Sequence, residues 1–462
     1  MSKTSSRKKW GHSPTLLPKN IWRTHNIMEH TEQESKWQIP FFTVWTGQQL
    51  SWIGSALAQF ALVWWLTETT GSATVLAVGT LISMLPQVIL GPFAGALVDR
   101  WNRRVVMLVA DSIIALVSAY LAYLFWSGSM QVWHVYVIML VRALGGIFHW
   151  PAMQASTSLM VPNEHLSRVA GLNQAMGGVV NIMSPPLGAL LLQVLPLHAI
   201  MGIDVATAAF SIVPLFFVSI PQPKQIKAAA GKPSLWTDVR EGFRYAVGWP
   251  GLLALCLLAM LLNFLINPAM SLMPLLVTDH FKGEALQLAW MNSSWGVGAL
   301  LGGVILGAWG GFKRNIVTML VGIIGMGVGI LLVGLTPAAI FPLALAGLFF
   351  GAVMNSMCNG SAFALLQTVV APEMQGRVFT LVGSLCGAAS PLSMVIAGPL
   401  ADAIGVRALY VIGGVAQILL GVAGFFIPAV MQLGENRDEQ DVVEEKMGTF
   451  ADPVAKKYLE NT

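Results

Sequence analysis

The sequence predicts an all-α, multi-pass membrane protein with twelve transmembrane helices in two pseudo-symmetric six-helix halves. Three observations carry that prediction. Of 462 residues, 55% are hydrophobic and only 10% are charged, whereas a soluble domain carries roughly 25% charged residues; most of this chain is therefore solvated by lipid. The apolar residues fall into twelve runs, each of about 20 residues or more, the length a helix needs to cross the hydrocarbon core. The last six runs repeat landmarks of the first six at a nearly constant offset: Pro162 and Arg168 are answered by Pro372 and Arg377, Ser184-Pro185 by Ser390-Pro391, and Gly71 by Gly283. Two copies of one topology imply parallel repeats related by an axis along the membrane normal, with a cavity between them near the midplane.

In chain order, residues 1–38 form a basic tail with Lys3, Arg7, Lys8, Lys9, Lys19, Arg23 and Lys36 and little apolar periodicity. The first half, 39–220, holds spans one to six near 40–66, 73–98, 104–126, 131–159, 166–194 and 198–220. A cytoplasmic linker, 221–250, carries Pro221, Pro223, Lys224, Lys227, Lys232, Arg240 and Arg244, with a short surface helix expected near 234–247. The second half, 251–432, holds spans seven to twelve near 251–277, 287–311, 315–335, 339–370, 376–401 and 407–430. An acidic tail, 433–462, follows, with a short helix expected near 438–447. Lysine and arginine crowd the side of the N-terminal tail; Lys282 and Arg407 fall on the other side, and Arg142 lies within a span. The positive-inside rule then makes both termini cytoplasmic, in a plasma (inner) membrane protein.

Several function classes drop out. The net charge of +4 does not imply a nucleic-acid partner, because the basic residues sit in short loops between apolar runs. Cys256, Cys358 and Cys386 all lie in apolar stretches without metal-ligand spacing, so no disulfide framework and no metal site is expected. The polar tail precedes a first run long enough to span, which reads as an uncleaved helix and not a signal peptide. No HExxH, GxSxG or GxxxxGK[ST] segment and no long soluble domain is present, so neither an enzyme nor a cofactor is expected.

The stretch GPFAGALVDRWNRR, residues 91–104, closes one apolar run and opens the next with almost no linker. Gly91, Ala94 and Gly95 lack the bulk that keeps backbones apart, while Asp99, Arg100, Arg103 and Arg104 can bind the orphaned groups of neighbouring helix ends. A plain basic loop between two helices is the alternative. Two six-helix halves, a central loop and this GxLxDRxxRR-type signature, carried by Gly95, Leu97, Asp99, Arg100, Arg103 and Arg104, resemble the major facilitator superfamily. Asn102 departs from the glycine usual in that pattern. The matching turn of the second half, around Gly307 to Asn315, keeps Lys313 and Arg314 but lacks the aspartate. The resemblance implies that Gly95, Asp99, Arg100, Arg103 and Arg104 form a conformational gate. Asp99 would meet the cytoplasmic end of span eleven near Arg377 and latch the halves in the outward-open state.

Within the superfamily the chain is similar to the macrolide-efflux (Mef-type) permeases. The strings that carry this are LTETTGSA (66–73), LGPFAGALVDRWNRR (90–104), Ile203-Asp204-Val205, GRVFTLVGSL (376–385) and PLADAIGV (399–406). SPPLGA (184–189), below Gly177 and Gly178, is a degenerate match to the span-five antiporter motif; an ordinary proline kink is the alternative.

Ionisable groups inside a span cost a few kcal/mol each, roughly, unless paired or facing water, so Asp111, Arg142 and Asp204 are the proton-coupling candidates. An Asp111–Arg142 or an Asp204–Arg142 pair is expected, with a static structural ion pair as the alternative. Arg142-Ala-Leu-Gly-Gly146 also resembles the superfamily's span-four motif linked to proton transfer. Gln48, Trp52, Ser55 and Gln59 recur at i, i+4, i+7 and i+11 on one helical face. His149 lies seven residues after Arg142, with Gln154 beyond it; Asn263 and Asn267, and Asn355 and Asn359, pair at i, i+4. The substrate-cavity candidates are therefore Gln48, Trp52, Gln59, His149, Asn263, Asn267, Asn355 and Asn359, with interhelical hydrogen bonding as the competing use. Trp64 and Trp65 read as an interfacial belt.

These features predict a monomeric secondary active transporter in the lipid bilayer. It would export a hydrophobic or amphipathic, macrolide-like small molecule by alternating access, with a proton gradient as the drive. Export of an endogenous metabolite such as a siderophore, and a transporter-like membrane sensor, are the alternatives.

Overall fold

The computed structural model describes residues 37–98, 100–222, 244, 247–370 and 372–433. Among them are twelve helices long and apolar enough to cross a membrane. In chain order they are α1 (Gln38–Thr70), α2 (Ala73–Val98), α3 (Arg103–Trp126), α4 (Val132–Met160), α5 (Asn163–Val194) and α6 (Leu197–Phe217), then α7 (Pro250–Ser271), α8 (Ala285–Trp309), α9 (Asn315–Leu335), α10 (Phe341–Val369), α11 (Pro372–Ile404) and α12 (Val406–Phe426). The helix starts follow local chemistry. Asn102 caps α3 through Val105 N–H, and Gln131/His134 and Glu284/Gln287 form reciprocal capping boxes at α4 and α8.

Two expected spans are interrupted. The run near 251–277 breaks at Leu272 into α7 and a short helix, Met273–Asp279, because Pro274 has no N–H to continue the ladder. The run near 407–430 likewise ends at Phe426, ahead of Pro428. Almost all of the surface helix expected near 234–247, and the one expected near 438–447, lie outside the described residues.

The halves show their relationship in matched contacts. In the first half α1 packs on α6, α2 on α4, and α3 on α4 and α6; in the second α7 packs on α12, α8 on α10, and α9 on α10 and α12. The halves meet through α2–α11 and α5–α8. The ends are also equivalent: Arg104 donates to the carbonyls of Leu215 and Phe216 at the end of α6, and Arg314 to that of Met431 just past α12. Guanidinium groups here satisfy carbonyls that a helix end leaves open.

The two faces of the bundle differ. On the near face, where α1 begins, each half has a core of its own, around Phe41, Met107 and Leu215 in one and Leu252, Leu320 and Leu366 in the other. On the far face one apolar cluster runs through both, joining Trp64, Leu76 and Ala189 to Leu272, Leu348, Ala401 and Tyr410. Trp64, 8% exposed, belongs to this shared cluster and so does not stand in an interfacial belt.

Candidate functional site

Between the halves lies a cavity of about 1090 Å³, walled by α1, α4 and α5 on one side and by α8 and α10 on the other. Its lining reaches Ser158, Leu166 and Ala170 at the near-face ends of α4 and α5. Trp52, Trp150, Gln154 and Asn173 also line a side chamber of about 260 Å³ that runs into the first half.

At the side chamber α1, α3 and α4 bring three polar side chains together. Gln48 Nε2 donates to Asp111 Oδ2 over 2.9 Å, and His149 Nε2 lies 3.1 Å from Asp111 Oδ1 and 3.0 Å from Gln48 Oε1. With its amide nitrogen on Asp111, Gln48 turns its oxygen to the ring, so both neighbours of His149 Nε2 are acceptors and that nitrogen carries a proton. A carboxylate has about four acceptor positions, so Asp111 keeps acceptor capacity toward the chamber it lines.

Deeper in the first half is a second network. Arg142 Nη1 lies 2.6 Å from Asp204 Oδ2 and 2.8 Å from Ser118 Oγ, Ser118 donates to Asp204 over 2.7 Å, and Ser55 donates to the other carboxylate oxygen over 2.9 Å. Arg142 therefore pairs with Asp204, not Asp111, and Asp204 is only 1% exposed. Gly54 makes this possible, because a Cβ there would fall 1.9 Å from Thr207 Oγ1 and push α1 and Ser55 away from α6. Asp111 faces a chamber, whereas Asp204 and Arg142 line neither one.

Two polar contacts join the halves, one beside the cavity and one at the far face. Pro186 cannot donate to Ile182 O, four residues back, so that carbonyl is free to accept Ser293 Oγ of α8 over 2.8 Å. The SPPLGA prolines thus sit inside a continuous α5 and open it to a partner in the other half. On α2–α11, Asp402 accepts from Ala73 N at 2.7 Å, Thr74 N at 3.0 Å and Ser72 Oγ at 3.1 Å. A carboxylate from one half thereby caps a helix of the other. Gly398 allows the approach, since a Cβ there would meet that of Ala77 at 2.7 Å. Losing such a cap costs about 0.5–2 kcal/mol. Asp402→Ala should therefore open the far face about 2- to 30-fold more often, read as a longer distance between spin labels at Ser129 and Ala338.

The remaining expected residues are placed as follows. Arg103 Nη1 donates to Ala155 O at 2.8 Å and Arg104 to the carbonyls that end α6, contacts within the first half, while Arg100 is exposed. Gly95 lies in α2, whereas Asp99 and the side chain of Arg377 lie outside the described residues. Gln48, Trp52 and His149 line the side chamber; Gln59, Asn263, Asn267, Asn355 and Asn359 line neither chamber. Asn263, Asn267 and Asn359 bond back to their own helices, through Ala259 O, Asn263 O and Asn355 O. Lining residues not anticipated are Trp150, Asn173, Gln174 and Asn181 from the first half and Asn292, Trp295 and Ser356 from the second. Asn173, Gly177 and Asn181 recur every four residues, a face that was readable in the sequence.

The family model of the Major Facilitator Superfamily matches residues 44–280 and 255–448. Macrolide efflux protein A of Streptococcus pyogenes is 33% identical over 402 residues, covering 87% of this chain and 99% of that protein. The multidrug efflux pump Tap of Mycolicibacterium fortuitum is 26% identical over 387 residues, covering 82% and 93%. Among solved structures, a bacterial homologue of the iron transporter ferroportin in an inward-facing state superposes with a TM-score of 0.63 at 15% identity, covering 83% of this chain and 98% of that one. A bacterial homologue of the human lysosomal transporter Spinster, inward-facing and unoccupied, gives 0.62 at 16%, covering 86% and 97%. Twelve membrane-length helices in two matched halves around a shared cavity agree with these likenesses, and the chain belongs to the Major Facilitator Superfamily of membrane transporters.

Proposed function

We propose that this transporter exports an amphipathic, macrolide-like small molecule from the cytoplasm by alternating access, driven by protons moving inward. The carrying observation is the cavity. It is walled by both halves, sealed at the far face by Asp402 and the shared apolar cluster, and lined to the near-face ends of α4 and α5. The concentration of basic residues near the termini makes the near face cytoplasmic, so this conformation loads from inside the cell. Drug-sized ligands occupy pockets of roughly 300–1,000 Å³, and a main chamber of about 1090 Å³ suits a larger cargo. Its indoles and amides, without a lysine or arginine in the lining, match an apolar body with scattered hydroxyl and carbonyl groups. The named efflux relatives favour the same direction and cargo. The chain acts as a monomer and not as an enzyme.

In the opposite conformation the near face closes. The signature turn then engages α11, with Asp99 at its start near Arg377. The antiparallel pair α2–α11 would hold a carboxylate latch at each end, Asp99 for one state and Asp402 for the other.

Asp111 is the coupling acid in this scheme, since it borders the chamber, and the Asp204–Arg142 pair fixes the geometry of the first half. Accumulation of a radiolabelled macrolide in an efflux-deficient host tests the function. Expression of the chain should lower accumulation, and a protonophore should restore it. Unchanged accumulation would remove the export assignment, and export that survives the protonophore would remove the proton drive.

A further inference from the structure

The charge inventory of the two chambers is one-sided. Among the described residues lining them, Asp111 and His149 are the only ones with titratable side chains, and no lysine or arginine faces either space. His149 Nε2 already donates to Asp111 and Gln48, and Asp111 is the one carboxylate among the described residues that line either space. An anionic cargo would meet that carboxylate with no lysine or arginine in either lining to balance it.

The hydrogen-bonding inventory has the same bias. Asp111 retains acceptor capacity, and Gln49, which also lines the side chamber, has its Oε1 buried without a hydrogen-bond partner. A buried acceptor left unpaired is costly, and a ligand that brings N–H donors relieves it. Trp52 and Trp150 border both chambers and add indole faces that attract cations. At the far face a separate chamber of about 450 Å³ repeats the composition, with Glu68, Glu284, Trp64 and Trp65 and no basic residue.

We infer that the side chamber is an amine subsite: the cargo carries a protonated, N–H-bearing nitrogen that Asp111 receives beside Trp52 and Trp150, while the apolar body fills the main chamber. The assignment rests on reading the central cavity as the cargo site and adds the chemical class that site selects. A charge-assisted hydrogen bond is worth about 1.5–3 kcal/mol, so it should give at least about tenfold discrimination against a neutral isostere.

The test is calorimetric titration of the full chain in lipid nanodiscs with two matched pairs. One is erythromycin, which bears a basic dimethylamino group, against its N-demethyl-N-acetyl derivative. The other is 1-naphthylmethyl-dimethylamine against N-(1-naphthylmethyl)acetamide, which reads the preference without relying on a macrolide. The wild type should bind each amine at least about tenfold tighter than its amide. Asp111→Asn should bring the amine down to the amide's affinity, and Asp111→Glu should keep the preference, separating lost recognition from lost folding. Equal binding of amine and amide to the wild type, or a preference that survives Asp111→Asn, overturns the subsite. Either result with export intact in cells would remove the amine assignment alone. An amine preference in nanodiscs with no cellular export would retain the subsite and remove the export assignment.

Discussion

Asp204→Ala should cost the fold about 3–5 kcal/mol, the usual penalty for removing one partner of a buried ion pair, and appear as low expression and a sharp fall in melting temperature. The geometry explains the size. Asp204 accepts from Ser55, Ser118 and Arg142, which ties together α1, α3, α4 and α6. Without the carboxylate, the Arg142 side chain, 12% exposed, is left as an uncompensated charge in a low-dielectric setting. Arg142→Leu added to Asp204→Ala should recover much of the loss, because it removes the stranded charge. Asp204→Asn should be milder than Asp204→Ala, since an amide oxygen can still accept from a serine. A variant that melts like the wild type but loses its proton dependence would instead make Asp204 a coupling group.

Sequence alone leaves Asp111 and Asp204 as alternative partners for Arg142, because spacing along a helix gives depth but not rotation. All three lie within spans, and which carboxylate meets the guanidinium depends on how α3, α4 and α6 turn about their axes. That rotation is set by contacts such as Gly54 against Thr207, which are far apart in sequence. The spans themselves were legible because lipid leaves a crossing backbone few choices beyond a long apolar helix. The repeat was legible because turn residues such as Pro162 and Pro372 survive in both halves.

The cavity was half visible. Gln48, Trp52 and His149 were found because polar residues on an apolar helix face stand out. The asparagines at i, i+4 on α7 and α10 gave the same signal for another reason. Amide side chains there return to carbonyls of their own helix, a local use that needs no cavity. Asn292 and Trp295 of α8 become lining residues only through the docking of one half on the other, a relation that spacing within one helix cannot express. Asp402 was missed because its partners, Ser72 to Thr74, belong to the other half.

Asp111→Asn should abolish uphill export while leaving downhill exchange. In proteoliposomes with an imposed pH gradient, the wild type should concentrate cargo against its gradient; the variant should stop near equal concentrations on the two sides. The reasoning is one of differential states: a proton drives transport only if the group that binds it has different access, or different partners, in the two conformations. Asp111 can meet that condition because it borders the side chamber, which shares Trp52, Trp150, Gln154 and Asn173 with the main cavity. Asp204, held by three donors and 1% exposed, borders neither chamber itself and reaches the side chamber only through Ser55. Asparagine keeps the shape and can still accept from His149 but cannot change charge, so the carrier can still reorient while the proton no longer biases the cycle. At saturating cargo the weaker amine binding expected of this variant is masked, leaving coupling as the quantity read. A wild-type gradient in Asp111→Asn would return the coupling role to the Asp204–Arg142 pair; loss of exchange together with coupling would make Asp111 a structural group.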